Sequence, residues 1–210
     1  ERYLAINPPV DAIYALKTID RFFAIPQSWP AEQRLQRSEE MMLKLVTAPS
    51  APDTGQSSLP LSLEESQFLI ALNMRMNLAE TIAGTQKQNN QGFLQHDPEA
   101  FNKNAFWLEL MNLSFDDYIR LSIMPYYHEK LGYDPDLLLQ RSKLTALEAG
   151  LRRNTKLRVL HNRNDFLINS EQLSWYSQVF GERVLLLPEG GHLGNMYHPD
   201  YQALIVKMLQ

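Results

Sequence analysis

The stretch that most limits the fold covers residues 156–192, where two apolar segments flank a helical one. Residues 156–160 and 183–187 are rich in Val and Leu, a composition that favours β-strands. Residues 171–180 carry apolar side chains at helical spacing, and Gly181 follows as a stop signal. Two strands joined by a helix form a βαβ unit with parallel strands. The stretch therefore predicts neighbouring parallel strands, and the apolar run 183–187 predicts a strand covered on both faces.

A carboxylate and an imidazole follow these two strands. Asp165 lies in the polar loop after the first strand, and His192 follows the glycine pair 190–191 after the second. The carboxyl ends of parallel strands meet at one edge of a sheet, where open α/β sheets place their chemistry, so we expect the two side chains to be in contact. General-base catalysis needs an imidazole with one nitrogen held by a carboxylate and the other facing substrate. Asp165 and His192 are therefore the predicted catalytic residues.

Other roles are open for an aspartate or a histidine. A lone aspartate after a strand is often a helix cap, but Ser170 can cap the helix that follows. The other histidines are predicted to have solvent, packing or turn roles, and one of them, at the end of the first strand, is also placed to orient the Asp165 loop. They are His96, His128, His161 and His198. No histidine pair or carboxylate cluster has metal-ligand spacing and there is no cysteine, so neither a metal nor a cofactor is predicted.

The rest of the chain is predicted to be mainly helical. A short strand near residues 3–6 precedes a block, 11–150, in which helical periodicity dominates. In that block Ser62, with Glu65 three residues later, predicts a capping box that opens a long helix. Residues 47–61, rich in Pro and Ser, are predicted to be a linker.

Several residues of the helical block receive specific predictions. Asp11 is expected to cap the first helix and Asp20 to be a surface charge. Leu35, Met42 and Leu45 are expected to face the core from a second helix, and Pro98 to begin another.

Composition excludes some classes of function. The chain has 210 residues, 44% of them hydrophobic, which is enough for a substantial core. Its net charge of −4 gives no electrostatic reason to bind nucleic acid. No apolar run approaches the ~20 residues of a membrane span, so no integral membrane segment is predicted. Cytoplasm and periplasm both stay open as compartments, as does assembly into a homo-oligomer. The sequence begins at Glu1 inside a strand pattern, so we expect an N-terminal part to be missing.

The segments around Asp165 and His192 resemble those of the α/β-hydrolase family, whose catalytic triad runs Ser, then Asp or Glu, then His along the chain. Residues 156–165 resemble the strand that carries the acid, and 182–192 resemble the last strand with its histidine loop. Residues 201–209 resemble the closing helix, and 3–9 the strand after the nucleophile elbow.

The resemblance implies a fold class, a domain division and a function. The fold class is α/β, with a partial parallel sheet of an α/β-hydrolase fold and a large all-helical cap insertion. Residues 1–10 and 151–210 form the C-terminal part of the core in this view, and 11–150 form the cap. The implied reaction is hydrolysis of an ester, thioester or amide, with a small ester-like or acyl molecule as substrate. Candidate substrate contacts in the cap are Trp107, Tyr126 and Tyr127.

One departure from the family pattern is large. No G-x-S-x-G motif occurs in the sequence, and the nearest match, at 55–59, lacks the closing glycine. The expected explanation is that the nucleophile lies in a missing N-terminal half, which leaves this chain inactive alone. A non-catalytic protein that binds or scaffolds through the same fold is the alternative, and a helical block that binds a partner by itself is a third.

Overall fold

A computed structural model of the chain describes residues 2–47, 61–89, 91–97 and 103–210. The chain divides into two compact units, called here unit 1 (Glu1–Leu16 and Pro135–Gln210) and unit 2 (Lys17–Asp134). The interpretation of 1–10 with 151–210 as a hydrolase core, and of 11–150 as its cap, stays a prediction. The predicted linker is described only at its ends, and Pro98 and the 55–59 motif lie outside the described residues.

The elements of regular structure follow one another along both units. The strands are β1 (Tyr3–Ile6), β2 (Leu157–Asn162) and β3 (Val184–Leu187). The helices are α1 (Ala12–Phe22), α2 (Arg34–Thr47), α3 (Leu63–Gln88), α4 (Lys103–Asn112), α5 (Phe115–Tyr118), α6 (Met124–Leu131), α7 (Pro135–Arg141), α8 (Glu148–Arg153), α9 (Ser170–Phe180) and α10 (Pro199–Leu209). Short 3₁₀ segments cover Ile25–Ser28, Ala31–Gln33, Leu144–Leu147 and Gly181–Arg183, and a π-helical turn covers Ile119–Ile123.

The three strands form one parallel sheet in the order β1-β2-β3. The central strand β2 is buried from Val159 to Asn162, whereas Leu185 of β3 is 37% exposed. The predicted pairing of neighbouring parallel strands is therefore confirmed. The prediction that the strand at 183–187 is covered on both faces is wrong, because Leu185 is partly exposed. An apolar run can therefore also form the last strand of a sheet, as β3 does.

The predicted fold class is also wrong for this chain. It was α/β, with a partial sheet of an α/β-hydrolase fold and a large helical cap, but the described residues are mostly helical. Within those residues the sheet has only three strands, of four, six and four residues. A βαβ pattern indicates that two strands pair, but it does not indicate how much of the chain the sheet will hold.

Unit 1 packs helices on both faces of β2. Val159 lies in a buried cluster with Tyr176 and Val179 of α9, and Leu160 lies in another with Tyr201 of α10. Adjacent residues of a strand point to opposite faces, so α9 and α10 cover opposite sides of the sheet. Because the helices cover the faces of the sheet, the loops that follow the strands lie at its C-terminal edge.

Unit 2 is helical, and α3 is its longest helix. The predicted capping box of Ser62 and Glu65 is confirmed. Arg75 of α3 is buried and forms an ion pair with Asp20, whose side chain is 11% exposed. The prediction that Asp20 is a surface charge is therefore wrong, because sequence alone does not reveal a cation that arrives from a distant helix.

The second helix is rotated relative to its prediction. In α2, Met41 is buried, whereas Leu35 and Met42 are 72% and 49% exposed, so their predicted burial is wrong. Leu45, the third residue of that prediction, is half-buried. Asp11 accepts a hydrogen bond from the backbone N–H of Tyr14, which confirms it as the cap of α1. No helix among the described residues is long and apolar enough to cross a membrane.

Candidate active site

Asp165 and His192 meet at the C-terminal edge of the sheet in unit 1. Nδ1 of His192 lies 3.0 Å from Oδ2 of Asp165. The two residues follow β2 and β3, which are adjacent and parallel. The contact predicted from the sequence is thus confirmed, while its catalytic role stays a prediction.

The carboxylate of Asp165 is completely buried and accepts three hydrogen bonds. Oδ2 accepts from the His192 ring and from Nδ2 of Asn7, at 2.9 Å, and Oδ1 accepts from the backbone N–H of Leu167, also at 2.9 Å. Burial by itself raises the pKa of Asp165, but these donors outweigh it and hold the pKa below its ordinary value. The carboxylate is therefore ionised at neutral pH.

The ring of His192 is oriented by this carboxylate. An ionised carboxylate can only accept hydrogen bonds, so Nδ1 carries the proton and the neutral ring keeps its lone pair on Nε2. The side chain is 27% exposed, and its ring stands edge-on to Phe166 with 6.2 Å between centroids. Among the described residues no group bonds to Nε2. The outer nitrogen can therefore accept a proton from a group brought to it.

The loop that carries His192 requires its glycines. Gly190 has a φ of 137° and Gly191 a φ of 55°, values that L-residues rarely adopt. A Cβ on Gly190 would lie 2.6 Å from Nδ2 of Asn162 and closer still to Nδ2 of Asn195. The close approach of these amides explains why the loop after β3 has glycine at position 190.

The helix after Asp165 is capped by a different residue from the one predicted. Asn169, not Ser170, caps α9: its side chain accepts from the backbone N–H of Gln172, whose side chain accepts from the N–H of Asn169 in return. Asparagine and serine are both good caps, so the sequence alone did not separate adjacent candidates. Asp165 itself is free of the capping role, as expected.

His161 lies beneath the pair, fully buried rather than half-buried as predicted. Its Nδ1 lies 3.1 Å from the carbonyl oxygen of Asn162, and its Nε2 lies 3.3 Å from that of Pro8 and 3.8 Å from Oδ2 of Asp165. Burial lowers the pKa of His161, although these acceptors oppose the shift. A second, neutral imidazole therefore borders the acid.

The remaining three histidines each have an ordinary surface setting. Nδ1 of His96 lies 2.8 Å from Oε2 of Glu109 in unit 2. His128 is exposed on α6, and His198 is exposed immediately before α10.

Sequence reasoning missed a group of asparagines around the pair. Asn7 follows β1, and its amide bonds the acid; Asn162 ends β2, and its Nδ2 donates to the carbonyl of Gly191 at 2.8 Å. Asn164 accepts a hydrogen bond from the N–H of Gly191 at 2.8 Å. A signal was present, because Asn7 and Asn162 each stand at the carboxyl end of a predicted strand, the edge at which polar side chains of a parallel sheet meet.

The predicted substrate contacts belong to unit 2. Tyr126 is 44% exposed and lines a surface cavity of about 390 Å³ together with Leu121 and Pro125. Tyr127 packs edge-on against Tyr126, with ring centroids 5.5 Å apart, and Trp107 is 41% exposed. Their contact with a substrate stays a prediction.

No group of three or more histidine, aspartate or glutamate side chains in the described part of the chain is placed to hold a metal ion. Comparison with protein-family models, with curated proteins and with solved structures finds no match to this chain.

Proposed function

We propose that this chain supplies the acid and the general base of a serine hydrolase of the kind found in the α/β-hydrolase family, acting on an ester, thioester or amide. The observation that carries the proposal is the 3.0 Å contact between Nδ1 of His192 and Oδ2 of Asp165. A buried, ionised acid on one nitrogen and an open second nitrogen are the two features that a triad histidine needs.

Each residue has a defined part in the reaction. Nε2 of His192 takes the proton from a serine Oγ while Oγ bonds to the acyl carbon, and it then gives that proton to the leaving oxygen, sulfur or nitrogen as the bond to carbon breaks. Water, activated by the same nitrogen, then releases the acid and restores the serine. Asp165 keeps the ring in the Nδ1–H tautomer and stabilises its charged form.

The serine and the oxyanion-hole amides are assigned to residues outside this sequence. No G-x-S-x-G motif occurs within it, and in the family the amides belong to the residue after the nucleophile and to an earlier loop. We expect the coding sequence directly upstream of Glu1 to contain a strand, G-x-S-x-G and a helix in that order. That motif would complete the triad in chain order.

The lack of that motif also favours a second candidate, a non-catalytic protein that binds a ligand or partner. In this case the Asp165–His192 contact would serve only to join the loops that follow β2 and β3. The two candidates differ in one requirement: catalysis needs a serine that reacts through His192, and binding does not.

Labelling with a fluorophosphonate distinguishes the candidates. The protein is produced with every residue that its gene encodes, as wild type, His192→Ala and His198→Ala. We expect the wild type to be labelled, and labelling to slow by about 100-fold or more in His192→Ala, because general-base catalysis contributes that much. His198→Ala is the matched control, since that exposed imidazole lies in the same unit and we expect it to change nothing.

Two results would count against a hydrolase. Labelling that proceeds equally well in His192→Ala would remove His192 from the mechanism. A wild-type protein that the probe does not label would contradict a reactive serine and favour the binding protein.

A further inference from the structure

The histidine loop has little conformational preference of its own. Gly190, Gly191 and Leu193 all have positive φ, and two of the three are glycines, which lose more backbone freedom on ordering than other residues. An imidazole on such a loop stays in place only if other groups hold the backbone around it.

Asparagine side chains hold the peptide groups of Gly191, the residue before His192. The Gly191 carbonyl accepts from Nδ2 of Asn162 at 2.8 Å and from Nδ2 of Asn7 at 3.2 Å. The Gly191 N–H donates to Oδ1 of Asn164 at 2.8 Å. Both polar groups of this residue are thus fixed by side chains from the end of β2 and from the loops after β1 and β2.

Asn7 differs from the other two asparagines because its amide also reaches the acid. Its Nδ2 donates to Oδ2 of Asp165 at 2.9 Å, the same oxygen that receives the ring of His192. One amide group therefore connects the carboxylate to the backbone of the histidine loop. The residue is only 2% exposed, so water has little access to these bonds.

The backbone of Asn7 narrows the choice of residue at this position. Its φ is 47°, in the left-handed region that glycine, asparagine and aspartate enter most readily. Glycine would provide no amide, and aspartate would place a second carboxylate against Asp165. Of these three residue types, asparagine alone combines the backbone conformation with a side-chain N–H donor.

We propose that Asn7 is a positioning residue, whose amide holds Asp165 and the histidine loop together so that Nδ1 of His192 stays on the carboxylate. The inference rests on the proposed function, in which this contact sets the tautomer of the base. Asn7 does not touch the reacting atoms and acts only through Asp165 and Gly191.

The test measures the ring of His192 directly. In ¹⁵N-labelled protein, NMR gives the exchange rate of the Nδ1–H proton and the ratio of the two neutral tautomers. Asn7→Gly removes the amide but keeps a backbone that accepts positive φ. We expect about tenfold faster exchange of the Nδ1 proton and a larger share of the Nε2–H tautomer, because the loss of one hydrogen-bonding side chain typically changes an equilibrium by about that factor.

A matched control separates this effect from a general loss of structure. Asn154 precedes β2 at the opposite end of the strand, and its Oδ1 accepts one local bond, from the N–H of Lys156. We expect Asn154→Gly to leave both signals of His192 unchanged. A wild-type exchange rate and tautomer ratio in Asn7→Gly would overturn the inference.

If Asn7→Gly does not fold, Asn7→Ala removes the same amide without the added backbone freedom of glycine, and the same two signals are compared. Unfolding of both variants, with Asn154→Gly folded, would also overturn the inference, because Asn7 would then be needed for folding rather than for positioning. The NMR signals need no nucleophile, so they fail independently of the labelling experiment. Unchanged signals with His192-dependent labelling reject only the role of Asn7, and changed signals without labelling reject only the hydrolase.

Discussion

Replacing Asp165 with asparagine keeps the size of a buried side chain and removes its charge. In the orientation that keeps the bond from Leu167 N–H to Oδ1, an NH₂ group takes the place of Oδ2. That group would then face two donors, Nδ2 of Asn7 and the Nδ1–H of His192, at the positions now 2.9 Å and 3.0 Å away. The substitution thus converts two attractive contacts into donor–donor contacts.

The size of the effect follows from these two contacts. A hydrogen bond to a charged group contributes about 1.5–3 kcal/mol. The low end applies to both donors here, since Asn7 keeps its bond to Gly191 and the partly exposed ring of His192 can switch tautomer. Two bonds at about 1.5 kcal/mol each predict a loss of about 3 kcal/mol, or about 100-fold in the opening equilibrium.

Hydrogen exchange of the β2 amides measures this loss in unit 1 alone, because β2 pairs with β1 and β3 of the same unit. We expect protection of these amides in Asp165→Asn to fall by about 100-fold. Asp200→Asn is the control: it makes the same chemical change on α10, where the side chain is 97% exposed, and should leave protection within about threefold. Protection in Asp165→Asn equal to that of the wild type would refute the idea that the carboxylate holds these loops together.

Two further predictions concern the loop and the pH dependence. Gly190→Ala should displace the histidine loop and abolish the protected Nδ1–H signal of His192, because the new Cβ would overlap neighbouring amides, whereas Gly84→Ala has open space and should not. Acid should weaken unit 1 through His161. Its pKa lies below the ordinary 6.5 in the folded chain, so the unfolded chain binds the proton first. The stability that neutral His161 contributes is therefore complete above about pH 6.5 and is lost as the pH falls towards the folded pKa. The protection factors of the β2 amides should show this loss. His161→Gln should make the loss smaller, whereas the control His198→Gln should leave it unchanged.

The parallel pairing of the strands could be predicted because its signals are local. The apolar segments before Asp165 and His192 are separated by one helix, and that spacing leaves few ways to pair them. The balance between sheet and helix could not be predicted in the same way, because it depends on the whole chain. In unit 2, the burial of Asp20 depends on Arg75, 55 positions away, and no short-range pattern indicates such a pair.

The Asp165–His192 contact of the candidate site could be predicted from the sequence, whereas the asparagine amides around it were missed. Asp165 and His192 could be found because few residue types carry acid–base chemistry, so their position after strands has meaning. Asn7, Asn162 and Asn164 were not found because asparagine is common in loops and turns, where it usually bonds only its own backbone. Their role depends on Gly191 coming close to all three, which follows from the tertiary structure alone.

The two side chains of the Asp165–His192 pair differ in burial, and this difference is relevant to the function of the pair. Asp165 is fully buried with three donors, and asparagines fix the loop beside it, yet the ring of His192 is 27% exposed. A contact that served only to join two loops would gain from burying the ring as well, because exposure to water weakens a hydrogen bond to a carboxylate. A proton acceptor, in contrast, needs one nitrogen fixed and the other reachable. The groups around His192 hold the inner nitrogen and leave the outer one open, which is the arrangement that the proposed hydrolase would need.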